Sequence, residues 1–265
     1  MKNLFLDQNT TIVVIGFGRF GKLIIKILLK YSRAKIILIE TKKINISHKR
    51  LVVESVDGIK NADIIIPCVP ISSFEGVIKQ IAPLIKKGAI VMDVCSVKMF
   101  PVDIMETHLP HSTQIIASHP MFGPDSYRIK KGLNNFKLVI WNIGAKEKIY
   151  QQVKKFFSTL GLKIIELTPK DHDKFLALSL GYSYLIGKIN QRMGIKKTPI
   201  DTYDFQLLLE HVSIIKNDSE QLFFDIQTKN PYAKNMLTKL DKTFNMLSSE
   251  IKQLKQQQKF DKKIN

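Results

Sequence analysis

Gly16-Phe17-Gly18-Arg19-Phe20-Gly21 follows directly on a short β-branched run, Thr11–Ile15, and precedes an apolar-periodic stretch, Leu23–Leu29. That order is strand, glycine turn and helix, in which a pyrophosphate meets the positive amino end of the helix. Gly16 permits the tight turn, Gly18 lets backbone N–H groups approach the phosphates, and Gly21 lets the helix pack on the strand. A second apolar run, Lys35–Ile39, ends in Glu40, about 20 residues past the fingerprint, where a carboxylate bonds ribose hydroxyls. A carboxylate there repels a 2′-phosphate and favours NAD. Thr41, Lys42 and Lys43 follow at once and could hold that phosphate instead, so the expected cofactor is NAD or NADP, with NAD modestly favoured.

His119 is the histidine placed to do chemistry. It closes the apolar run Gln114–Ala117, is held by Pro120 and precedes Gly123-Pro124, so it is expected to face the cofactor cleft. A neutral imidazole can take the proton of an alcohol at neutral pH, as hydride abstraction from a carbinol carbon requires. Ser96, at the end of another apolar run, could hydrogen-bond both that alcohol and the imidazole. The bland alternative for His119 is a buried structural histidine. His48, His108, His111, His172 and His211 lie in loops or helical stretches and read as surface or packing residues, and no Cys/His spacing suggests a metal site.

The elements that must position these groups alternate. Asp63–Cys68 reads as a buried strand whose end, Val69-Pro70, is expected at the cofactor; Ser73–Ile85 reads as an amphipathic helix and Ala89–Val94 as the next strand. Strands alternating with helices predict an α/β, doubly wound parallel Rossmann sheet with ligands beyond the carboxyl ends of its strands. From about Asp171 the strand pattern stops. Apolar residues then recur at helical spacing through Phe175–Ile189, Phe205–Ile215 and Asn235–Leu254. The expected division is residues 1–170 as the dinucleotide-binding domain and 171–265 as a smaller all-helical domain, with a polar, Gln/Lys-rich tail fraying from about 252.

Composition narrows the function classes. The 265 residues are 45% hydrophobic and 24% charged, the balance of a globular protein and not of a disordered chain. No apolar run reaches the roughly 18 residues of a membrane span, and the start, residues 1–10, does not read as a secretory leader. Two cysteines, Cys68 and Cys95, make no disulfide framework, so a reducing cytoplasm is expected. Lys and Arg number 41 against 23 acidic residues, a net charge of +18. The excess is scattered in pairs such as Lys42/Lys43, Lys86/Lys87 and Lys196/Lys197 without interleaved aromatics, so a small anionic substrate, not a nucleic acid, is the expected partner.

One block is more specific than the glycine turn. Asp93-Val94-Cys95-Ser96-Val97-Lys98, Phe100-Pro101, Leu109-Pro110 and Ser118-His119-Pro120-Met121-Phe122-Gly123-Pro124-Asp125-Ser126 together closely resemble the prephenate/arogenate dehydrogenase family of tyrosine biosynthesis, in a spelling similar to the plant-type arogenate enzymes. Asp171-His172-Asp173-Lys174, Asp218-Ser219 and Asn230-Pro231-Tyr232-Ala233 extend the resemblance over roughly residues 10–245. It implies oxidative decarboxylation of a cyclohexadienol with hydride transfer to the nicotinamide. It also implies His119 as the base, Ser96 bonding substrate hydroxyl and histidine, Lys98 as the matching lysine, and a helical domain that dimerises.

The resemblance breaks where some bacterial members carry a histidine and an arginine that grip the substrate carboxylates. Here Leu176–Tyr184 holds no histidine, and Ser213 stands at the arginine position. The carboxylate receptor is then sought among Lys98, Tyr184, Arg192, Lys188 and His211, with Arg192 suited by its bidentate geometry. Prephenate and arogenate both remain open as substrate. The alternatives are another two-domain dehydrogenase of a hydroxy acid or imine, and a catalytically weakened, basic Rossmann protein with a regulatory role.

Overall fold

The computed structural model describes residues 6–264; the start of the leader reading, residues 1–5, and Asn265 lie outside them. The chain runs β1 Thr11–Ile15, α1 Arg19–Tyr31, β2 Lys35–Ile39, β3 Leu51–Glu54, β4 Ile64–Pro67, α2 Phe74–Ile81, β5 Ile90–Met92, α3 Met99–His108, β6 Gln114–Pro120, α4 Pro124–Ile129, β7 Lys137–Asn142, α5 Glu147–Thr159 and β8 Lys163–Glu166. Helices follow: α6 Pro169–Leu176, a π-helical turn Ala177–Gly181, α7 Tyr182–Arg192, α8 Tyr203–Lys216, α9 Glu220–Lys229 and α10 Ala233–Ile264.

The strands form one eight-stranded sheet in the order β3-β2-β1-β4-β5-β6-β7-β8. Its strands are apolar on both faces because helices cover both faces. Val13, Ile37, Ile65 and Val91 meet Phe74, Ile78 and Ile81 of α2 on one side. Ile12, Val14, Ile36 and Leu38 meet Ile24, Ile25 and Leu28 of α1 and Phe156 of α5 on the other. Isoleucines such as Ile12 and Ile65, fully excluded from water, each contribute about 1.5–3 kcal/mol by burial.

Strand order reverses between β1 and β4, so the glycine turn after β1 opens at the switch point where such sheets bind ligands. The expected parallel pairing holds for every strand pair but one. β7 runs antiparallel to β6, with His119 opposite Val139 and Pro120 opposite Leu138. The chain between them carries only the short α4, which packs beside α1 through Tyr127 against Leu23 and Ile27.

Three further expectations change. β6 extends through Pro120, so His119 lies inside the strand and does not follow its end. The single helix expected over Phe175–Ile189 is interrupted by the π-helical turn. The tail expected to fray from about 252 continues α10 to Ile264, since Gln and Lys are good helix formers. Among the described residues no helix is long and apolar enough to cross a membrane.

Candidate active site

At the glycine turn, Gly16 has a φ of +96°, and a Cβ there would sit 2.6 Å from the Cys68 carbonyl oxygen. A Cβ on Gly21 would sit 2.2 Å from the Gly16 carbonyl. The backbone itself therefore demands these two glycines. Gly18, at the amino end of α1, is different: a Cβ there meets nothing within 4 Å. The space beside it suits a pyrophosphate approaching the first N–H groups of the helix. Val69, at the end of β4, borders the same turn, its Cγ1 3.3 Å from where a Gly16 Cβ would lie, and Pro70 beside it is exposed.

Glu40 is pinned to this turn. Its Oε2 accepts from the Phe17 N–H at 2.8 Å, and its Oε1 accepts from the Thr41 N–H at 2.8 Å and the Lys42 N–H at 3.2 Å. Partial burial opposes the charge, but the hydrogen bonds from Phe17, Lys42 and Thr41 outweigh it and hold the carboxyl below its ordinary value. An ionised group at the end of β2 suits a ribose with free hydroxyls. Phe17 lies under the Lys22 ammonium, 5.0 Å from its ring centroid, and Phe20 packs into the core beneath α1.

Arg19 behaves otherwise than expected of a cofactor ligand. Its guanidinium reaches the Asn217 carbonyl at 2.7 Å, Asp218 at 3.0 Å and Asp125 at 2.5 Å. The side chain clasps the glycine turn to the first turn of α4 and to the residues just before α9, and leaves only its backbone at the amino end of α1.

His119 is buried, with 5% exposure, in β6. Its Nδ1 lies 2.9 Å from Nε2 of His172, and His172 Nδ1 lies 2.8 Å from Asp173 Oδ1. The two rings meet edge to face, centroids 5.1 Å apart. Burial first, then the charges of His172 and Lys98, push His119 well below the ordinary imidazole value. Burial also lowers His172, against the opposing pull of Asp173. His172 is therefore no surface residue; its packing is specific. It is nearly water-free and bonds the expected base. The signal that could have found it is the adjacent pair His172-Asp173, just inside a helix start marked by Thr168 and Pro169.

The expected carboxylate receptors are largely committed elsewhere. Lys98 is 2% exposed, and its ammonium bonds the Asp93 carboxylate and the Ser118 carbonyl. It is a buried structural cation and no substrate ligand. The Tyr184 hydroxyl donates to Asp218, Lys188 pairs with Glu220, and His211 Nε2 lies 2.8 Å from the Ser183 carbonyl. Arg192 is exposed in the last turn of α7. Ser96 is half-buried in the loop after β5, and its hydroxyl bonds no described residue, His119 included.

Cys68 and Cys95 are unpaired, and burial pushes the Cys68 thiol up to about 12, so it is inert. No group of three His, Cys, Asp or Glu side chains among the described residues could hold a metal ion.

Comparison with known proteins finds relatives over most of the chain. The model of the family described as prephenate dehydrogenase, nucleotide-binding domain, matches residues 26–166, and the model described as TYRAAT1-like, C-terminal domain, matches residues 189–263. Arogenate dehydrogenase 2, chloroplastic, of Arabidopsis thaliana is 26% identical over 249 residues, spanning 91% of this chain and 69% of that protein. Arogenate dehydrogenase 1, chloroplastic, of the same plant is 29% identical over 253 residues, 90% of this chain but 38% of that protein. Among solved structures, prephenate dehydrogenase from A. aeolicus in complex with hydroxyphenyl propionate and NAD+ superposes with a TM-score of 0.71 at 17% identity, covering 91% of this chain and 90% of that one. Synechocystis arogenate dehydrogenase superposes with a TM-score of 0.64 at 19% identity, covering 94% and 93%.

Proposed function

Because the chain belongs to the prephenate dehydrogenase family, we propose that it oxidises and decarboxylates prephenate to 4-hydroxyphenylpyruvate, or arogenate to tyrosine, with NAD or NADP as hydride acceptor. The observation that carries this reading is His119. Among the described residues, this neutral, buried imidazole is bonded only through Nδ1, at the carboxyl end of β6, in the sheet whose glycine turn and Glu40 suit a dinucleotide. Pinning of Glu40 as a carboxylate at the ribose position favours NAD.

The chain's own residues have three tasks in the reaction. The glycine turn and the first N–H groups of α1 would hold the pyrophosphate, and Glu40 would hold the ribose. When bound, the nicotinamide supplies the acceptor for the hydride leaving the carbinol carbon. His119 Nε2 takes the hydroxyl proton, Ser96 orients that hydroxyl, and the carbinol C–H electrons leave with the hydride. The bond to the ring carboxylate then breaks, carbon dioxide departs, the electron pair of that bond completes the aromatic ring as a phenolate, and the proton held by His119 returns to the phenolate oxygen. Aromatisation makes the reaction essentially irreversible.

The working division is residues 1–170 for the cofactor and 171–265 for a helical unit that pairs with a second copy of the chain. Phe175, Leu178, Phe244 and Leu254 support that pairing, because all stand more than half exposed on the helices. A reducing compartment, the cytoplasm by default, suits the unpaired Cys68 and Cys95. Initial rates for two substrates against two cofactors test the activity. His119→Asn is expected to lose at least about two orders of magnitude in turnover, the usual worth of a general base. Full activity in that variant would remove His119 from the role.

A further inference from the structure

Asp173 is fully buried in the first turns of α6. Its Oδ1 accepts from the Lys98 backbone N–H at 2.7 Å and faces His172 Nδ1, while its Oδ2 accepts from the Met99 backbone N–H at 2.9 Å. The Asn230 amide donates to the Asp173 carbonyl at 2.8 Å and fixes the backbone as well. A carboxyl group already holding two N–H donors acts as an acceptor, so the proton between it and His172 resides on His172 Nδ1. In a neutral imidazole the other nitrogen then carries a lone pair. That nitrogen, Nε2, lies 2.9 Å from Nδ1 of His119. Two lone pairs facing at this distance would repel, so His119 Nδ1 must be the donor. His119 Nε2 is left unprotonated.

We infer that His172 and Asp173 are positioning residues that set the tautomer of His119 in two steps, Asp173 orienting His172 and His172 orienting His119. This deepens the dehydrogenase reading and rests on it for the kinetic consequence. When His119 Nε2 takes the substrate's proton, the Nδ1–H continues to donate to His172, and the new positive charge is spread toward the Asp173 carboxylate. No proton moves along the chain. The other charges facing this row come from the neighbouring β5 end. They are the Lys98 ammonium, which opposes a charge on either ring, and the Asp93 carboxylate, which is paired with it. The relay therefore works against a cation that Asp93 already neutralises.

The test combines spectroscopy with kinetics. In protein labelled with 15N-histidine, the ring signals, assigned with His119→Asn and His172→Asn, are expected to show His119 and His172 both protonated at Nδ1. A proton on Nε2 of His119 would overturn the proposal, and this result needs no enzymatic activity. For Asp173→Asn and for His172→Phe we expect kcat to fall at least about 100-fold while the dissociation constant of the reduced cofactor stays within about threefold. The spectrum of Asp173→Asn should gain the Nε2-protonated form of His119. Parental kcat in both variants would sink the relay. If Asp173→Asn fails to fold, His172→Phe carries the kinetic arm, since it puts an apolar ring in a buried place. If the parental protein turns over neither prephenate nor arogenate, the functional reading fails, while the spectrum still decides the tautomers.

Discussion

Arg19 and Asp218, 199 positions apart in the chain, meet at 3.0 Å, so the first residue of the cofactor helix is tied to the residue that precedes the cap of α9. Asp125 joins at 2.5 Å, and burial is overcome there by the Arg19 hydrogen bond, which holds its carboxyl low. The guanidinium is 44% exposed, so solvent screens the pair and its contribution to stability is small, at most about 1 kcal/mol. Arg19→Ala should accordingly lower Tm by no more than about 2–4 °C. The difference between variant and parent should shrink in 1 M salt, where the Debye length falls to about 3 Å. Thermal unfolding at two salt concentrations checks both statements. A large, salt-independent loss would mean that Arg19 holds the turn by packing.

The three glycines of the turn separate fold from binding. Gly21→Ala puts a methyl group 2.2 Å from the Gly16 carbonyl, on backbone that cannot swing aside, and should cost about 1–3 kcal/mol in stability. Gly18→Ala meets nothing in the protein. It should unfold at the parental urea concentration or slightly above, yet bind NADH at least about tenfold more weakly, about 1.4 kcal/mol, because its methyl group occupies the phosphate approach. Urea titration and fluorescence titration with NADH read the two effects separately. Undiminished NADH affinity in Gly18→Ala would place the pyrophosphate elsewhere.

How far the site could be read from sequence depends on how local each demand is. Gly16, Gly21, Thr11–Ile15 and Lys35–Ile39 answer to neighbours within one strand-turn-helix unit, so their spacing alone reveals the arrangement. Strand direction is not local. Leu138–Trp141 is as apolar as any parallel strand, and nothing in its composition says that it pairs antiparallel with β6. Lys98, a candidate carboxylate receptor by sequence, is taken out of that role by tertiary packing, which seals it against Asp93. His172 was opaque for the same reason. Its place beside His119 is settled by α6 docking on α3 and the β5 loop through Asp173, across 53 and 75 residues of chain.

Burial lowers His119 and His172, which sets a pH dependence with a definite sign. In the unfolded chain both titrate near 6.5, whereas in the folded protein they resist protonation to lower pH. Below about pH 6.5 the unfolded state binds protons that the folded state refuses, so stability falls with pH through the depressed folded values. Between pH 7.5 and 5.5 His119 alone should cost at most about 1.4 kcal/mol, and urea midpoints at the two pH values measure it. His119→Asn should reduce that difference. The same depression keeps the base neutral, so kcat/KM should stay flat down to pH 6.5 and fall only below it. An acid limb centred at 7 or above would contradict a neutral, buried His119.

The Asp93–Lys98 pair stands against the sheet with 0% and 2% side-chain exposure, and burial pulls Asp93 upward against the stabilising charge of Lys98. Each partner alone would be an uncompensated charge in a place without water. Lys98→Met should therefore cost about 3–5 kcal/mol by stranding Asp93, and Asp93→Asn a comparable amount by stranding the ammonium. Replacing both at once removes the desolvation cost together with the attraction, so the double variant should be more stable than the sum of the single losses predicts, by on the order of 1–3 kcal/mol. Asp93 also accepts from the backbone N–H groups of Cys95 and Ser118, at 3.0 Å each, and ties the Ser96 loop to the strand that carries His119. Asn at position 93 keeps one acceptor for these donors, so recovery should be larger in Asp93→Asn/Lys98→Met than in Asp93→Leu/Lys98→Met, which strands both N–H groups. Equal urea midpoints for the two double variants would show that the pair's charge, and not its backbone bonds, carries the coupling between Ser96 and His119.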